Sequence, residues 1–183
     1  AVAYVNALKN AYAKCVNISQ NANELNIHIF AGLCGGTGSG SIVDAIVQAR
    51  KAFPDANIAV YAMIPEMNLP HANMDQGRYY QNGYAALNEL NGLQAGRFIP
   101  HDVTGAGREA KLFTDRKKGV ADGLTLYSNV NENGLTINSL TELPKIVSDY
   151  VYARVFLINS NDSVNHDIIR AYTFENMDDF ALE

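Results

Sequence analysis

Across 183 residues the chain has no tryptophan, two cysteines and four histidines, and only 18% of it is charged. Each shortage excludes something. Cys15 and Cys34 are too few to staple a disulfide scaffold, which points to a reducing, cytoplasmic setting. His28, His71, His101 and His166 stand far apart and share no ligand spacing with the cysteines, so no metal site held by protein ligands is expected. A net charge of −5 argues against a general nucleic-acid surface. No apolar run reaches the roughly 18 residues that span a bilayer. What remains is 48% hydrophobic, enough for a full core.

Glycine is unevenly spread: four of the 14 fall within the six residues Gly35-Gly36-Thr37-Gly38-Ser39-Gly40. In front stands an apolar-alternating run, Asn26 to Ala31. Behind it Ile42, Ala45, Ile46, Ala49 and Phe53 recur at helical spacing. The pattern predicts a strand at about 26–33, a glycine loop, and a helix ending near Phe53 before Pro54. A helix N-terminus presents unpaired N–H groups and the positive end of the peptide dipole, so it suits an anion. Glycine permits positive φ and close approach of a ligand. Ser39 or Ser41 is the expected helix cap, with Asp44 completing a variant capping box.

The rest of the chain fits an α/β domain. Val2, Val5, Leu8, Tyr12, Cys15 and Val16 predict a helix over residues 1–20. Asn57 to Ile64 is nearly all apolar and predicts a strand buried on both faces, as in a parallel sheet. Pro65 to Gly77 is a polar loop at that strand's C-terminal end, where open α/β sheets place ligands. Tyr80, Tyr84, Leu87, Leu90 and Leu93 form the expected packing stripe of the next helix. Residues 96–122 are locally basic through Arg108, Lys111, Arg116, Lys117 and Lys118 and read as a solvated insertion, with a contact to phosphate or to a neighbouring subunit as the alternative. A third strand, Gly123 to Asn129, runs into an asparagine-rich turn; amides there can read a base edge, although asparagine also favours turns for local reasons. Ser139-x-x-Glu142 is a capping box that opens a further helix.

Two familiar phosphate loops fail on spacing. A Walker A loop needs a lysine, and none lies in or beside this one. The dinucleotide fingerprint needs Gly-x-Gly-x-x-Gly with an acid about 20 residues on, whereas here the glycines run Gly36-x-Gly38-x-Gly40 and the nearest such acid is Glu66. A Rossmann-like dinucleotide enzyme stays open as a weaker alternative.

The six residues Gly35 to Gly40 match the glycine signature of the tubulin/FtsZ superfamily, and the chain looks closest to divergent bacterial tubulin-like proteins. Cys34 departs from the pattern, where Ser, Ala or Gly is usual. The resemblance implies a three-layer α/β fold of Rossmann-like GTPase type, with a mainly parallel sheet and helices on both faces. It implies GTP or GDP, with Mg²⁺ accompanying the nucleotide, held by Gly35, Gly36, Thr37, Gly38, Ser39 and Gly40. It implies a guanine contact from Asn129 or Asn131 and a second base contact from the following helix at Asp149 or Tyr150. It implies self-association into filaments, with hydrolysis by a carboxylate donated across the contact, for which Asn176, Asp178 and Asp179 are the candidates. A non-catalytic assembly module on the same fold is the other alternative. The family places strands and a first phosphate loop ahead of the helix matching residues 1–20, and a second domain after the catalytic loop. Residues 1–183 are therefore expected to form a single partial nucleotide-binding domain with a core at about 1–158. Residues 159–183 would be an appendage or the start of the catalytic-loop region. On this reading the sheet has an unpaired edge and the chain carries about half of the nucleotide site.

Overall fold

The computed structural model describes residues 1–18, 25–65, 78–104, 120–130, 136–137, 141–153 and 155, with the backbone alone at 175–176. In chain order the elements are α1 (Val2–Ile18), β1 (Asn26–Gly32), α2 (Gly36–Ala52), β2 (Asn57–Met63), α3 (Tyr79–Gln94), β3 (Gly123–Tyr127), α4 (Glu142–Tyr152) and β4 (Glu175–Asn176). The sheet order is β1-β2-β3-β4, so β1 lies at its edge among the described residues. The first three strands are parallel, with Asn26 opposite Asn57 and Ala59 opposite Gly123, and β4 closes antiparallel on β3. Parallel strands joined through helices give the α/β, Rossmann-like arrangement expected from the sequence.

Alternation along the strands divides the core into two layers. Ile27 of β1, Ile58, Val60 and Ala62 of β2, and Leu124 and Leu126 of β3 face α2 and α3. There they meet Ile42, Ile46 and Val47 of α2 and Ala86, Leu90 and Leu93 of α3. Ala59 and Tyr61 point the other way and pack with Tyr150 and Val151 of α4. Successive strand residues point to opposite faces, so a strand covered on both sides must be apolar throughout. That is why Asn57–Met63 carries no charge, and five consecutive residues of it, Ile58 to Ala62, are buried.

Two helices present different faces from those expected. In α3 the buried residues are Gly83, Ala86, Leu90 and Leu93, while Tyr80 and Tyr84 are 47% and 71% exposed. The small residues decide this orientation. A Cβ at Gly83 would fall 2.7 Å from Pro65 Cγ, so α3 approaches the end of β2 more closely than a tyrosine face allows. Helix α1 packs on α2 through Tyr4, Leu8 and Tyr12: the Tyr4 hydroxyl donates to the Ala45 carbonyl and Tyr12 meets Phe53 edge-on at 5.3 Å. Val2 and Val16, assigned to its stripe from spacing, are exposed.

The cap assignments also shift. Helix α2 begins at Gly36 with Gly35 as its N-cap, ahead of Ser39 and Ser41. Both serines lie inside the helix and donate back to carbonyls four residues earlier, Ser39 to Gly35 and Ser41 to Thr37. Helix α4 starts at Glu142 with Thr141 as N-cap, two residues after the position that the Ser139 capping box implies. The end of α3 is a Schellman turn: Gly96 has φ +67°, its N–H donates to Leu93 O, and Arg97 N–H donates to Gly92 O at 2.8 Å.

A buried polar junction holds the opposite end of the sheet. Arg50, 2% exposed near the end of α2, donates to the carbonyls of Val120, Pro54 and Ala56 and pairs with Asp122. Asp122 also accepts the Ile58 N–H at 2.8 Å. Gln94 closes a two-way bond with the backbone of Ala121 at 3.0 and 2.9 Å. The segment 120–122 is thereby fixed to α2, α3 and β2 just before β3 begins. Substituting Arg50→Met leaves buried carbonyls and a carboxylate without their donor. It is expected to lower unfolding free energy by about 1–3 kcal/mol, the cost of leaving buried acceptors without a donor; a denaturation midpoint equal to wild type would contradict this.

Gly38 meets the end of β1, where an added Cβ would overlap the carbonyl oxygen of Gly32 and lie 3.0 Å from its carbonyl carbon. Gly38→Ala is therefore expected to destabilise the fold by roughly 2 kcal/mol or more, within the range for overpacking against an unyielding backbone. Thermal melting checks it, and an unchanged transition would contradict it.

Candidate functional site

Parallel pairing brings the ends of β1, β2 and β3 to one side of the sheet. The segments that follow them meet there: Leu33 to Gly40 after β1, Ile64 and Pro65 after β2, and Ser128 to Val130 after β3. Pairing continues past the strand ends, with Leu33 N–H donating to Met63 O and Ile64 N–H to Tyr127 O, each at 2.9 Å. Leu33 and Cys34 are buried, and the chain then emerges, with Gly35, Gly36, Thr37 and Gly40 all exposed.

The glycines of this loop do different work from each other. Gly35 has φ −82°, ordinary extended backbone, so left-handed conformation is not what selects glycine there. Gly38 is required by its approach to Gly32. A Cβ at Gly35, Gly36 or Gly40 would meet nothing within 4 Å. The space beside those three is open, as it must be where a ligand is to contact backbone N–H groups directly. The first intrahelical bond of α2 runs from Ser39 N–H to Gly35 O. The N–H groups of Gly35, Gly36, Thr37 and Gly38 precede it and form the electropositive end of a 17-residue helix. Of the two hydroxyls assigned to anion binding, Ser39 spends its proton on Gly35 O, and Thr37 is exposed beside the open space.

The other sequence candidates separate into three groups. Asn129 is present at the same end of the sheet but is 3% exposed; its carbonyl accepts from Ile137 N–H at 2.7 Å, and Val130 bridges Thr136, so the turn is organised locally. Ser128 adds to it by accepting the Val130 N–H at 3.1 Å. Asn131, Asp178, Asp179 and most of the Pro65 to Gly77 loop lie outside the described residues, as do Arg108, Lys111, Arg116, Lys117 and Lys118. Asn176 is described by its backbone alone, opposite Thr125 of β3.

On the α4 face a cavity of about 540 Å³ opens between the strand ends and the helix. Phe30, Met63 and Tyr127 form its floor, and Leu143, Val147 and Val151 form its wall at four-residue spacing. Behind Phe30 the rings continue: Phe30 stacks on Tyr61 at 4.7 Å, and Tyr61 meets Tyr150 edge-on. Burial raises the Tyr127 phenol above its ordinary value, so it stays protonated at neutral pH. The two helix residues named from the sequence do not line this cavity: Tyr150 is buried beneath it and Asp149 is exposed. The lining residues escaped the sequence reading because Leu143, Val147 and Val151 look like ordinary core positions of an amphipathic helix. Also missed was Asn82 of α3, whose side-chain amide donates to the Cys34 carbonyl at 3.2 Å.

Among the described residues no group of three or more His, Cys, Asp or Glu side chains could hold a metal ion, and no helix is long and apolar enough to cross a membrane. No curated protein and no solved structure matches the chain. A family model described as tubulin like matches residues 2–179, nearly the whole sequence and every element described above. The chain belongs to the tubulin-like family.

Proposed function

We propose that the chain is a guanine-nucleotide-binding, self-assembling tubulin-like protein whose Gly35 to Gly40 loop holds the phosphates of GTP. One observation carries the reading: the exposed glycine loop caps a long helix between two parallel strands, with open space beside Gly35, Gly36 and Gly40, in a chain of the tubulin-like family. Backbone N–H groups of Gly35 to Gly38 would donate to phosphate oxygens, and the exposed Thr37 hydroxyl would add a further donor. Mg²⁺ would arrive on the phosphates, as it commonly does where the protein supplies no ligand cage. The cavity floored by Phe30 and Tyr127 lies at the same end of the sheet and offers aromatic faces of the kind a base stacks on.

Hydrolysis would use a neighbouring subunit. A water, held by a carboxylate of that subunit, forms a new bond to the γ-phosphorus while the bond to the β–γ bridging oxygen breaks. GDP departs with that oxygen and the carboxylate takes the water's proton. Asp178 or Asp179 supplies the carboxylate and Asn176 helps to place it.

Two experiments on the full chain test this. Gly36→Val fills space that is open in the fold, so melting is expected to stay near wild type while GTP affinity falls at least about tenfold. Wild-type protein that binds no guanine nucleotide would refute the function. Asp178→Ala and Asp179→Ala are expected to leave GTP binding and nucleotide-dependent sedimentation in place. One of the two should slow turnover in the assembled protein by about 10²–10⁴-fold, the range for a lost acid–base group. Unchanged turnover in both would remove these residues from the mechanism.

A further inference from the structure

The contact between α3 and the start of the glycine loop concerns one peptide group. Asn82 lies in the first turn of α3 and is half-buried, with its Nδ2 donating to the Cys34 carbonyl at 3.2 Å. That carbonyl belongs to the Cys34–Gly35 peptide. No described peptide bond is cis, and a trans peptide is planar with its C=O and N–H pointing in opposite directions. Fixing the carbonyl toward α3 therefore fixes the Gly35 N–H away from α3. Gly35 is the N-cap of α2, and its N–H is the first of the four donors at the mouth of the loop.

Helix α3 is itself held at this point. Gly83, the next residue, faces both segments at once: an added Cβ would stand 2.7 Å from Pro65 Cγ and 3.4 Å from Cys34 Sγ. Asn82 is thus carried on a helix that cannot withdraw without opening contacts to the end of β2 and to Cys34. The glycines that follow, Gly35 and Gly36, restrain backbone rotation little, so a hydrogen bond at this carbonyl bears directly on how the loop is oriented. A side-chain amide is well suited to this hold because it keeps a donor at every working pH.

We propose that Asn82 is a positioning residue for nucleotide binding: by orienting the Cys34–Gly35 peptide it aims the Gly35 N–H at the phosphates. The inference rests on the reading of the glycine loop as a phosphate site. Asn82 touches no nucleotide atom itself and acts through the backbone of the loop.

The test compares wild-type full chain with Asn82→Leu, which keeps the size and removes the donor, and Asn82→Gln, which keeps an amide on a longer stem. Affinities for GTP, GDP and unphosphorylated guanosine are measured beside thermal melting. Asn82→Leu is expected to weaken GTP and GDP about tenfold, the scale of one hydrogen bond, and to change guanosine by less than about twofold. Its melting temperature should stay close to wild type, and Asn82→Gln should recover part of the loss. Equal GTP affinity in Asn82→Leu would overturn the proposal. So would a loss shared equally by guanosine, or one that tracks a fall in melting temperature, since a merely structural role gives those results. Wild-type chain that binds neither GTP nor GDP would instead refute the phosphate reading itself.

Discussion

Backbone touches backbone where Gly38 of α2 crosses Gly32 at the end of β1, and the site follows from that contact. No side chain fits between the two elements, so the helix starts almost on top of the strand end. Its first N–H groups are thereby delivered to the C-terminal side of a parallel sheet, the usual place for ligands in open α/β folds. The far end of the same helix is held as firmly, by the buried guanidinium of Arg50 against Asp122 and three carbonyls. A helix fixed at both ends can present an exposed and glycine-rich N-terminus without that end fraying.

The two faces of the sheet serve different purposes. The α2 and α3 side is a closely packed aliphatic layer of Ile, Val, Leu and Ala. The α4 side is aromatic and less filled: Phe30 and Tyr127 line a cavity at the strand ends, with Tyr61 and then Tyr150 behind Phe30. Aromatic rings give flat faces and, in tyrosine, a polar tip. His28 illustrates the second point: its Nδ1 lies 3.1 Å from the Tyr61 hydroxyl on that same face. Strand alternation places both environments within one sheet thickness of the glycine loop.

Much of this is legible in the sequence. The order strand, glycine loop, helix, strand was readable because β1 alternates, α2 repeats at helical spacing, and β2 is apolar throughout. The motif Gly35 to Gly40 was readable as a family signature because six adjacent residues carry it. What periodicity could not supply was which of two possible faces a helix buries. In α3 the tyrosines form a regular stripe, yet Gly83 and Ala86 win the interior because the helix must come within van der Waals contact of Pro65. In α2 the serines look like caps, but the helix starts earlier and they bond backwards along it. The Schellman turn at Gly96 did carry a signal, a glycine just past a helical stripe, set in a stretch of otherwise weak pattern. Asn82 carried none, because a polar residue on a helix gives no hint of a carbonyl 48 positions earlier in the chain.

The direct measurement of whether the glycine loop holds phosphate is amide hydrogen exchange in the full chain, with and without saturating GTP. If the N–H groups of Gly35, Gly36, Thr37 and Gly38 bind the phosphates, their exchange slows by at least about tenfold when GTP is present, while the core of β2 is unaffected. Unchanged exchange at all four amides with nucleotide demonstrably bound would place the phosphates elsewhere and contradict the central claim.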